Sequence, residues 1–206
     1  MLRLKLNFLL WALLVLPGVV YSVESTVDPK YIALGEKGIK ANANGNLFEA
    51  MHLLKESADK GYAPAQATLA YIMDKADEDE EAFKLYKQSA LQSHPPGQYG
   101  LAIMYMKGEG VAANQKIAGR WMALSAKLGH VPAMLALALA YEHGTMGLER
   151  NLDAASEWIL RCHEKANSVC TQRLSQAYRT GNLGLPVDLP KAQELYRLMN
   201  QGVDLK

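Results

Sequence analysis

The chain has 206 residues, 50% of them apolar and 21% charged, which suits one globular or repeat domain and excludes an intrinsically disordered chain. Its formal net charge is +1, with lysine and arginine scattered along the length. No basic stripe is available to track phosphates, so nucleic acid is not an expected partner.

Residues 1–22 differ from the rest. Arg3 and Lys5 precede an apolar run from Phe8 to Leu16, Pro17 and Gly18 break it, and Val20, Tyr21 and Ser22 end on a small residue suited to signal peptidase. The run is well short of the roughly 20 apolar residues that a spanning helix needs, so a cleaved secretory signal is expected and no stable membrane span after cleavage. Removing Arg3 and Lys5 takes the formal charge from +1 to −1. Cys162 and Cys170 are the only cysteines, and an exported chain meets an oxidising compartment, so a disulfide between them is expected.

Residues 23–44 read as an extended leader followed by a capping helix from Lys30 to Ala43, with Asn42, Asn44 and Gly45 as stop signals. From there to residue 206 one pattern recurs. Two helices are joined by a tight turn, seen most clearly between Ile117 and Gly144 with the turn at Gly129. The first small residue of each front helix falls at Ala50, Ala82, Ala118, Ala155 and Ala192, spaced 32, 36, 37 and 37 apart. Ala58, Ala90 and Ala126 follow eight residues later, and Gly61, Ser93 and Gly129 mark the turn. In the second helix Ala65, Gly97, Ala133 and Cys170 stand at a close-approach position, with Leu69, Leu101, Leu137 and Leu174 as core residues four later. Tyr105, Tyr141 and Tyr178 come next, and Gly108, Gly144 and Gly181 close the helix. The stretch from Ala133 to Tyr141 is apolar all round, which requires cover on two sides. The loop after the first repeat has no glycine and is shorter by four residues than its successor, matching the spacing of 32 against 36. A period of this length predicts a helical array.

The pattern A-x-x-W-x-x-x-x-A-x-x-G followed by A-x-x-x-L-[GA]-x-x-Y-x-x-G resembles the Sel1-like repeats, relatives of the tetratricopeptide arrays. The resemblance runs from about Gly45 to Gly202 and is best in repeats two and three. It implies an all-α, right-handed α/α superhelical solenoid of about four hairpins with terminal capping helices, the last helix, from Lys191, lacking a partner. It implies an adaptor for other proteins, in bacteria often exported, and no catalytic activity. Cys162 and Cys170 straddle the turn of repeat four, a placement similar to that in the cysteine-rich Sel1-like proteins of Helicobacter.

The residues themselves offer little chemistry. His52, His94, His130, His143 and His163 form no metal-ligand spacing, and no nucleophile elbow, phosphate loop or dinucleotide fingerprint is present, so no metal, cofactor or catalytic residue is expected. The acidic run from Asp77 to Glu81 reads as a solvated helix start favoured by the dipole.

In arrays of the resembled kind the second helix of each repeat lines the concave surface. The positions beside the core leucine are then Tyr71, Tyr99, Ile103, Leu135, Leu139, Gln172 and Gln176, with Met106, Lys107, Glu142, His143 and Arg179 as a polar margin. An apolar centre with a polar rim suits a protein or peptide partner, with Tyr99, Ile103, Leu135 and Leu139 as the floor. The expected function is an exported scaffold in the periplasm of a Gram-negative bacterium, or secreted from it. The alternatives are a hydrolase of cell-wall-like or β-lactam compounds, an action suggested by the cysteine-rich relatives, and a membrane-tethered spacer.

Overall fold

The computed structural model describes residues 27–200, and the expected signal of residues 1–22 lies outside them. Within that range the chain forms ten α-helices and no strand: α1 Pro29–Ala43, α2 Leu47–Asp59, α3 Ala63–Lys75, α4 Asp79–Leu91, α5 Pro95–Lys107, α6 Gln115–Lys127, α7 Val131–His143, α8 Leu152–His163, α9 Ser168–Thr180 and α10 Leu189–Asn200.

Local chemistry sets these boundaries. Asp28, Asn114, Asn151, Asn167 and Asp188 each place a side-chain oxygen on a backbone N–H of the helix that follows. Pro64, Pro95, Pro96 and Pro132 sit in first turns, where the missing N–H removes no helical bond. Gly108, Gly144 and Gly181 end α5, α7 and α9 in the left-handed conformation. Asp79, Glu80 and Glu81 form the first turn of α4, as the sequence implies.

Each helix packs on its neighbours in the chain, and α3 also touches α1 and α5, so these three helices share one side of the array. The core is continuous in character but falls into two clusters, one centred on Leu54, Leu69 and Leu101 and one on Met122, Leu137, Ile159 and Leu174. All four leucines expected in the core, Leu69, Leu101, Leu137 and Leu174, are buried there.

The pairing differs from the expectation in one respect. The closest packing is within α1/α2, α3/α4, α5/α6, α7/α8 and α9/α10, so α10 is the partner of α9 and not a lone cap, and α1 is half of a full pair. The tight turn at Gly129 joins successive pairs. The physical reason lies in the loops that close each pair from α5 onward. Gly110 lies against Asp79 at the start of α4, Gly147 against Lys116 at the start of α6, and Gly184 against Leu152 and Asp153 at the start of α8. A Cβ on Gly110 would stand 2.3 Å from the Asp79 carbonyl oxygen, so only glycine permits that approach. Met146 and Leu183, beside Gly147 and Gly184, are buried in the core. These loops clamp one pair onto the one before it.

The short loop between α3 and α4 supplies no such clamp. At the equivalent start of α2, Leu47, Phe48 and Met51 are therefore bare, with Phe48 88% exposed.

Candidate functional site

The odd-numbered helices from α3 to α9 carry equivalent residues at the repeat spacing. Tyr71 on α3 is exposed, Tyr99 and Ile103 on α5 and Leu135 and Leu139 on α7 are half-buried, and Gln172 and Gln176 on α9 are exposed. The row runs from apolar to polar along the array.

The structure divides these residues among three surroundings. Tyr71, Tyr99 and Ile103 line one hollow of about 640 Å³ across α1, α3 and α5, whose walls also include Ile39, Pro64, Asp74, His94 and Lys107. Gln172, Gln176 and Arg179 line a second hollow of about 630 Å³ between α9 and α10. Met106, Leu135 and Leu139 line neither; Met106 and Leu135 pack half-buried against the C-terminal core cluster, and Leu139 is half-buried. Glu142 also lies outside both, its carboxylate taken by Arg173 and its carbonyl accepting from Arg150 Nε at 3.2 Å. His143 is exposed, 4.0 Å from the Glu142 carboxylate. The expected floor of Tyr99, Ile103, Leu135 and Leu139 is thus split: all four are half-buried, but only the α5 pair lines a hollow.

The first hollow is apolar at the centre and charged at the rim. Burial raises the Asp74 carboxyl above the usual carboxylate range, partly offset by Lys107, and Lys107 is itself paired with Glu109 at 3.0 Å. Lys75 lies over the Tyr71 ring at 5.7 Å from its centroid. Tyr99 packs on His130 with ring centroids 5.0 Å apart. Burial holds both His94 and His130 below the ordinary histidine value, and a charge on His130 would lower His94 further. Among the described residues, no three histidine, cysteine, aspartate or glutamate side chains gather to hold a metal ion.

Sequence reasoning missed Ile39, although it stands 32 residues before Tyr71, the spacing of the first two repeats. Treating α1 as a mere cap hid it. The same assumption about α10 hid Gln193, Tyr196 and Arg197.

Sel1 repeats match residues 33–62, 63–94, 95–130, 131–161 and 169–200, most of the chain, with the boundaries of the five packed pairs. The chain belongs to the Sel1 repeat family. A Sel1 repeat protein from Oxalobacter formigenes shares the fold, with a TM-score of 0.71 at 22% identity over 85% of this chain and 74% of that one. Protein SHC1 of Saccharomyces cerevisiae is 31% identical over 160 residues, 72% of this chain and 31% of that protein. Chitin synthase regulatory factor 3 of Schizosaccharomyces pombe is 31% identical over 86 residues, 41% of this chain and 9% of the relative. The chain therefore spans less than a third of either curated relative's length. Sel1 repeats generally mediate protein–protein interaction, and this chain carries five of them. Cys162 and Cys170 are joined across the turn between α8 and α9, with Cα atoms 5.8 Å apart. Among the described residues no helix is long and apolar enough to cross a membrane.

Proposed function

We propose that this Sel1 repeat protein is an exported scaffold that holds a segment of a partner protein in the hollow formed by α1, α3 and α5. The observation that carries the reading is the hollow itself. Tyr71 on α3 and Tyr99 and Ile103 on α5 give it an aromatic and aliphatic floor, Ile39 of α1 closes one side, and Asp74, Lys75 and Lys107 give it a polar margin. Tyr71 is 51% exposed, which leaves its ring available to a covering partner. Leu135 and Leu139 extend the apolar row beyond the hollow, and Gln172, Gln176 and Arg179 continue it as a polar surface.

Export is supported by the charged start, apolar run and small residue at Ser22, and by the bonded cysteine pair, which favours an oxidising compartment. The periplasm of a Gram-negative bacterium, or the medium outside it, is the proposed location. The mature chain should have the mass of residues 23–206, and a full-length mass in the exported fraction would remove this part of the reading.

The groove is tested by Tyr71→Glu and Ile103→Glu, each placing a charge in a contact that binding would desolvate. Partner recovery from exported protein should be lost while the melting temperature of Tyr71→Glu stays at the parent value. Unchanged recovery with both variants would move the site off this hollow.

A further inference from the structure

Among the described residues α10 packs chiefly on α9, and its side chains differ in kind from their counterparts on α8. Leu189, Gln193, Tyr196 and Arg197 stand 37 residues after Leu152, Ser156, Ile159 and Leu160. On α8 those earlier positions are buried or half-buried, and Ile159 is 0% exposed. On α10 the same positions are exposed, and three of the four are amphipathic or polar.

The replacements at this end are not a neutral mixture. The hollow between α9 and α10 holds two arginines, Arg179 and Arg197, and no carboxylate among its lining residues. Arg179 donates to the neutral Gln176 amide, and among the described residues neither guanidinium meets an acid. Elsewhere in this half of the chain Arg161 is paired with Glu157 and Arg173 with Glu142, while Arg150 donates to the Glu142 carbonyl and, among the described residues, Arg120 meets no acid. Ser175 is already spent on the Ala192 carbonyl at 2.7 Å, which fixes the two walls to each other and leaves the amides of Gln172 and Gln193 free to face a ligand.

We propose that the hollow between α9 and α10 binds an acidic peptide segment of a partner protein, its carboxylates taken by Arg179 and Arg197. Planar guanidiniums suit bidentate carboxylate recognition, amide side chains suit a peptide main chain, and Tyr196 and Leu189 give an apolar side chain something to lie on. A second copy docking through α1 suits the hollow less well, because the acids beside α1, Glu56 and Glu49, are already paired with Lys30 and Lys37. The site is separate from the hollow across α1, α3 and α5 and does not depend on that one being occupied.

The test uses the full chain and dye-labelled synthetic peptides matched in length and apolar content but rich in glutamate, glutamine or lysine, read by fluorescence anisotropy. The glutamate peptide should bind tightest and weaken as salt is raised. The double variant R179Q/R197Q should bind it about tenfold more weakly or worse, with an unchanged melting temperature, because both side chains are exposed. Tyr71→Glu should leave this binding intact, which separates it from the groove above. Equal binding of the glutamine peptide, or full binding by the double variant, would overturn the proposal. So would binding that emerges only in Asp204→Asn, which would assign the hollow to the chain's own residues 201–206, or equal binding of a single-stranded oligonucleotide of the same charge.

Discussion

One residue position links the disulfide to the rest of the array. Ser57, Ser89 and Ser125 recur at the repeat spacing, are fully buried, and each donates to a carbonyl at the start of the preceding helix: Tyr31 at 2.6 Å, Ala63 at 2.8 Å and Pro95 at 2.7 Å. Cys162 stands at the next place in that series, 37 residues after Ser125, and Cys170 stands where the others have Ala65, Gly97 and Ala133. The cysteine pair therefore replaces a hydrogen bond between the two helices of a packed pair by a covalent bond to the following helix. The separation of 8 residues closes a short loop, for which chain entropy gives about 2 to 3 kcal/mol. Replacing the pair by alanine should lose that amount in urea denaturation. C162S/C170A should lose about 1 kcal/mol less, because a hydroxyl in place of the Cys162 thiol can restore the bond to the Val131 carbonyl. Equal losses in the two variants would mean that α8 does not keep the register of α2, α4 and α6. The disulfide was legible from the placement of two cysteines about a turn. The serine series was not, since a lone buried serine carries no periodic hydrophobic signal and is recognised only once its carbonyl partner is known.

Among the elements, helix identity was legible and pairing was not. Alanine and leucine periodicity placed the repeat helices because small and core residues must face neighbours in every repeat. The periodicity is silent on phase, since each helix touches both neighbours in sequence. Phase is decided by the clamping loops, whose glycines contact the start of an earlier helix, a relation no local pattern encodes. The groove was partly legible for the same reason. Tyr71, Tyr99 and Ile103 follow from spacing, whereas the ending of the hollow before Leu135 and Leu139, which are half-buried like Tyr99 and Ile103, is not encoded in that spacing. Two substitutions separate core from surface. Leu137 is 1% exposed, so Leu137→Ala should cost about 2 to 5 kcal/mol by removing buried methyl groups and leaving a cavity. Phe48→Ser, at the unclamped start of α2, should change the melting temperature little. A large loss at Phe48 would show that the bare patch is covered in solution.

At the scale of the whole molecule the two depressed histidines tie stability to pH. His94 and His130 are the residues just before α5 and α7, so they sit where one pair meets the next. His130 packs on Tyr99, and its Nδ1 is buried with no hydrogen-bond partner among the described residues. Protonation would place a cation there with nothing to receive it. Both histidines lie below their ordinary value of 6.5 because burial disfavours the charged form, and the closeness of His130 adds to the effect on His94. As pH falls through that value the unfolded chain takes up protons before the folded chain does, so folding stability is greatest above it and declines toward the folded-state values. Asp74 acts in the opposite sense, because its raised carboxyl is protonated first in the folded chain, but its window begins from 3.8 upward and lies on the acidic side. The melting temperature should therefore fall between about pH 7.5 and 5.5. In the double variant His94→Gln, His130→Gln that fall should be largely removed, while the value at the upper end of the range changes less. Thermal melts of both proteins across the range decide it: an equally steep decline in the variant would move the pH dependence away from the junctions that join α5 and α7 to the pairs before them.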